Sequence, residues 1–196
     1  MEQTMQNGSV EEILDSAGER QQRGDVPLFN DEQNRLLIEA GGSDPYLLDI
    51  VRDANQPLAR RAAAIEALSQ RGSNTWLESA SDSATVAGVL AQSMTQDRVH
   101  NHWGLPGAYV GHTGAILVGA RYGVAEALAP LLTNNTSLTI LGSETATMQA
   151  LAKYRIADLA AWLLLQQRGE PWVDHVEPAE RDKEISRLRL RLEMVE

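Results

Sequence analysis

Three of the four histidines in this chain fall in one short stretch, DRVHNHWGLPGAYVGH, as His100, His102 and His112, with Asp97 just ahead of them. A His-x-His pair can hold a metal ion when both rings project the same way, as on a strand. A third imidazole from a following helix would then complete an open site for metal-assisted hydrolysis. On a helix the same spacing turns the two rings apart, and no HExxH accompanies them. Ordinary loop or core histidines are therefore the first reading of this stretch. A metal-dependent enzyme built on His100, His102 and His112 is the second.

Trp103 follows directly, between a polar run and the Gly/Pro-rich turn Gly104-Leu105-Pro106-Gly107. A large aromatic in that position either plugs a groove between helices or stands exposed as a contact anchor, and the plug is the preferred expectation. Other chemistry is excluded more sharply. The chain has neither a phosphate-binding GxxxxGK loop nor a GxGxxG turn after a strand. Gly142-Ser143-Glu144 lacks the second glycine of a nucleophile elbow, and Ser143 reads better as a helix cap. Cysteine is absent, which removes disulfides, thiolate zinc sites and thiol nucleophiles and fits a reducing cytosol. The residues imply no cofactor, and no small-molecule substrate is evident.

The chain has 196 residues and a formal charge of −10. That charge argues against binding nucleic acid, because affinity for phosphate backbones comes from Lys and Arg displacing counterions. No signal peptide is legible at the start. The most apolar stretch, residues 105–120, contains His112 and is shorter than the ~20 residues a membrane crossing needs. The expectation is a cytoplasmic protein with no membrane contact. Hydrophobic residues make up 43% of the chain but aromatics only 5%. A core drawn from Leu, Ala, Ile and Val suits closely packed helices better than a sandwich of strands.

The elements that would position these residues are read from periodicity and punctuation. Residues 1–9 form a flexible lead-in, and 10–23 and 31–40 read as helices. Pro45 and Pro57 open two more, the second running to Gln70 with its apolar stripe on Leu58, Ala62, Ile65 and Leu68; Arg60, Arg61 and Glu66 fall off that stripe. Residues 83–95 give a further helix, and 107–122 with 124–133 and 144–154 with 156–168 give two pairs. Val124, Leu128, Leu131 and Leu132 form one stripe, and Ile156, Leu159, Ala160, Leu163 and Leu164 another. A charged helix over 178–195 ends the chain, its seam on Ile185, Leu188, Leu192 and Val195, and is expected to cap the array.

A segment also recurs: ARYGVAEALAPLL from Ala120 and AKYRIADLAAWLL from Ala152, a spacing of 32 residues. Periods of about 20–50 residues mark solenoids, in which a helix pair buries its apolar face by stacking on the next. LLDIVRDANQPLARRAAAIEALSQRG, from Leu47 to Gly72, resembles the HEAT repeat family in its helix, Asp- and Pro-containing turn, early Arg and Ala-rich stripe closing in Gly. The last hundred or so residues resemble bacterial HEAT-like proteins in which a W-G-L-P turn precedes helix pairs. Ankyrin repeats are the rival, but their Thr-Pro-Leu-His opening is replaced by Gly114, Ala115, Ile116 and Leu117, and the loops 96–106 and 133–143 lack a hairpin signal. The resemblance implies an all-α fold: an irregular HEAT-like superhelical solenoid of antiparallel helix pairs in one domain over 10–196. It implies no reaction. The expected role is a non-enzymatic protein–protein interaction module, either the adaptor or subunit of a larger bacterial assembly or an antidote (immunity protein) masking a toxin or effector. Its expected partner surface comprises Arg60, Arg61, Arg121 and Arg155, bases repeated beside each stripe, together with the loop carrying His102 and Trp103.

Overall fold

The computed structural model describes residues 9–23, 31–72 and 75–194. Among them are ten α-helices, two short 3-10 helices and one two-stranded ladder, so the chain is mostly helical as composition suggests. The expected flexible lead-in lies outside the described residues, apart from Ser9. The chain divides into two compact units, Met1–Asn74 and Thr75–Glu196.

In the first unit, α1 (Val10–Arg23) and α3 (Asp44–Arg52) both pack on α4 (Leu58–Gln70), and α2 (Asp31–Glu39) touches α1. Ser9 starts α1 with a reciprocal cap: its N–H donates to Glu12 Oε2 at 2.8 Å and its hydroxyl accepts the Glu12 N–H at 3.3 Å. Pro45 sits in the first turn of α3, where an absent N–H costs nothing. The stripe expected on α4 is wider than the periodicity implies. Every residue from Ala62 to Leu68 is buried, Glu66 included, so alanine lets neighbouring helices close in on several sides.

The second unit is built around α9 (Ile156–Arg168), whose residues Ile156 to Leu164 are all buried. An expected one-sided stripe is thus corrected to a helix covered all round. Its neighbours are α6 (His112–Gly119), α7 (Val124–Leu128), the 3-10 turn Ala129–Thr133 and α10 (Pro178–Glu193). Leu128 and Leu163 are both fully buried, as their stripes imply. α5 (Ala80–Met94) packs on α6 and α7 and on the 3-10 turn Thr75–Glu78, while α8 (Ser143–Ala152) leads into α9.

Two sequence expectations fail here. The helix expected over 107–122 is shortened to α6 by a ladder of β1 (Gly104–Leu105) and β2 (Tyr109–Val110), antiparallel with Leu105 opposite Tyr109. Pro106-Gly107 makes the reversal, with Gly107 at φ +74°. Gly104 sits at φ +112° with the Tyr109 carbonyl so close that any Cβ would overlap it. The recurring segment also diverges. Pro130 converts the first copy to 3-10 geometry after one turn of α7, whereas its counterpart Trp162 continues α9. The paired tyrosines differ too, Tyr122 being 48% exposed and Tyr154 only 2%.

Candidate functional site

The histidine loop is interior. After α5 ends, Asp97 Oδ2 accepts the Trp103 indole N–H at 2.7 Å and lies 2.9 Å from His102 Nε2. The Asp97 and His102 side chains are 1% and 2% exposed, and Trp103 is fully buried. A carboxylate acceptor places the His102 proton on Nε2, and the second nitrogen, Nδ1, has no hydrogen-bond partner. Through its Oδ2 alone, Asp97 joins the His102 ring to the Trp103 indole and ties the loop together. His100 ties the same loop to the 134–140 segment: its N–H donates to the Thr139 carbonyl at 2.7 Å and its Nδ1 accepts the Thr139 N–H at 3.1 Å. Burial lowers the His100 pKa, outweighing the attraction of Asp97. His112 is exposed at the start of α6, and among the described residues no three His, Asp or Glu side chains are placed to hold a metal. Trp103 is the plug that the sequence favours. The reading of the His102–Trp103 loop as a contact surface is corrected by its burial.

The arginines expected to repeat as exposed corners do not behave alike. Arg60 is bidentate with Asp15, Nε to Oδ1 at 2.7 Å and a terminal nitrogen to Oδ2 at 2.6 Å, and joins α4 to α1. That bond holds the Asp15 carboxyl below its ordinary pKa. Arg61 donates from Nε to the Val51 carbonyl at 2.9 Å, tying α4 to α3, and burial lowers its pKa. Arg155 grips Asp158 with two nitrogens, each at 3.0 Å, and reaches Asp182 at 2.6 Å, which raises its pKa. Arg60, Arg61 and Arg155 are therefore engaged in packing, and only Arg121 of the four is exposed.

The residue that sequence reasoning missed is Arg181. It is fully buried, donates to Asp158 Oδ1 at 3.0 Å and to the carbonyls of His175, Val176 and Ala152 at 2.6, 2.8 and 2.7 Å, and lies over the Tyr154 ring at 4.9 Å. Within α10's charged pattern it looked solvated; only its i−4 relation to Ile185 places it on the buried seam. The Tyr154 hydroxyl donates to Asp174, and burial followed by that bond raises its pKa.

Two surface features remain. Helix α8 buries only Ala152, and Met148 and Leu151 are 38% and 71% exposed, with Leu141 just before the helix at 55%. It is held at its C-terminal end, by Gln149 bonding to Leu138 and Tyr154 and by Arg181 on the Ala152 carbonyl. A groove of about 370 Å³ lies elsewhere, lined by the β1–β2 turn, Trp162, Gln166, Trp172 and Asp174. Among the described residues no helix is long and apolar enough to cross a membrane. In comparisons with known proteins, no family model, curated protein or solved structure matches the chain.

Proposed function

We propose that this chain is a non-enzymatic protein-binding module, a short run of HEAT-like helix pairs working in the cytoplasm as an adaptor or as an antidote that masks a toxin or effector. The observation that carries this reading is α8: a helix that leaves Met148 and Leu151 uncovered one turn apart, with Leu141 beside its start. Apolar side chains gathered on one element are the ordinary mark of a partner surface. Covering a leucine that is mostly exposed is worth up to about 1.5 kcal/mol, enough for two or three such residues to anchor a contact. The enclosure of Asp97 and His102 supports the same reading, since side chains 1% and 2% exposed are closed off from a substrate in solution. The charge of −10 favours a protein partner with a basic surface over nucleic acid.

Affinity capture from the native host tests this, with the parent and a Met148→Glu/Leu151→Glu variant run side by side and co-purifying proteins identified by mass spectrometry. A protein retained by the parent and lost by the variant is the expected result. Turnover of a substrate by the purified chain, abolished by His102→Ala, would overturn the reading.

A further inference from the structure

The groove beside the β1–β2 turn has a chemistry of its own. Trp172 supplies a half-buried indole and Trp162 the margin of one that is 3% exposed, Tyr109 a phenol ring whose hydroxyl is occupied by the Asn101 carbonyl at 3.2 Å, and Asp174 the one formal charge. No Lys or Arg lines it. Asp174 Oδ1 accepts from the buried Tyr154 hydroxyl, which leaves Oδ2 at the Gly107 turn; a Cβ on Gly107 would lie 3.3 Å from that oxygen and 3.5 Å from Trp172 Cδ1. Carboxylate and indole edge therefore meet where the glycine leaves room. Trp172 Nε1, bonded to that Cδ1, is buried with no hydrogen-bond partner.

We infer that this groove receives a cationic side chain, Arg or Lys, carried on a partner polypeptide. The Asp174 carboxylate selects a positively charged group, whose aliphatic stem can lie along the Trp172 and Tyr109 side chains. Sites for free small molecules enclose most of the ligand surface, whereas this groove opens broadly to solvent, as fits one side chain presented on a longer chain. A basic partner also matches the overall charge of −10. The inference rests on the protein-binding reading, yet its chemistry can be tested without the partner.

The probe is a capped Gly-Arg-Gly peptide titrated into the ¹⁵N-labelled full chain. The four indole N–H signals are followed by NMR and assigned through single Trp→Phe variants. The expected result is a saturable, millimolar shift of the Trp162 and Trp172 signals, with Trp76 and Trp103 unmoved and no response to Gly-Glu-Gly. Asp174→Asn, whose carbonyl can still accept from Tyr154, should weaken binding about fivefold. Gln166→Lys, which adds a cation at an exposed groove position, should abolish it; this second variant decides the matter if Asp174→Asn does not fold. No shift with the Arg peptide, equal binding by both variants, or tighter binding of choline at the same signals would each overturn the inference. Partner capture by α8 succeeds or fails independently of this titration.

Discussion

Replacing Asp158 with Asn should destabilise the second unit more than any change on its surface, because it strands a cation. Arg181 and Asp158 are both fully buried and bonded at 3.0 Å, and the other guanidinium donors go to carbonyls, which carry no compensating charge. Breaking one side of a buried pair costs about 3–5 kcal/mol, most of it the burial of an unpaired charge. Arg181→Met removes the cation itself, and Asp158 keeps its grip on Arg155, so the loss reduces to one charge-assisted bond and the buried Ala152 carbonyl, about 2 kcal/mol. The double variant should then cost less than the sum of the two, with a coupling of about 1–3 kcal/mol. Urea denaturation followed by tryptophan fluorescence gives these values from the shift in midpoint. A change under about 1 kcal/mol for Asp158→Asn, or strict additivity in the double variant, would refute the reasoning.

Leu128→Ala and Leu163→Ala should each cost about 2–5 kcal/mol in the same assay, since both side chains are fully enclosed and leave cavities. The pH dependence follows from His100, whose imidazole faces Asp97, His102, the Met94 carbonyl and the Thr139 amide, and whose pKa is pushed below its ordinary 6.5 by burial. As the pH falls below about 6.5 the unfolded chain takes up a proton before the folded one, so stability should decline until the folded imidazole also titrates. Denaturation midpoints measured across pH 5–8 check this, and His100→Asn should flatten that part of the curve.

What the sequence made legible was the apolar skeleton. Ile156, Leu159, Leu163 and Leu164 are buried as their spacing requires, and Pro45 and Pro57 mark helix starts because proline tolerates little else there. What it hid were positions where tertiary partners decide. Arg155 and Arg121 look alike beside their stripes, but Asp158 and Asp182 draw in only the first. Arg181 sits in a helix so charged that composition suggests solvent, and it is the Asp158 carboxylate and the carbonyl ends brought around it that offset the cost of its burial. The β1–β2 ladder is two residues a side, too short to show alternation, and depends on Gly104, which reads only as part of a turn, and on Gly107, which the pattern assigns to the start of a helix.

The measurement closest to the central claim, that this chain works by binding through the face of α8, is calorimetric titration of the captured partner with the parent, with Met148→Glu/Leu151→Glu and with Arg121→Glu. Both variants should fold, since Met148, Leu151 and Arg121 are all exposed. The account predicts at least a hundredfold loss of affinity for the α8 variant, or about 2.7 kcal/mol. An α8 variant that binds as tightly as the parent would contradict it.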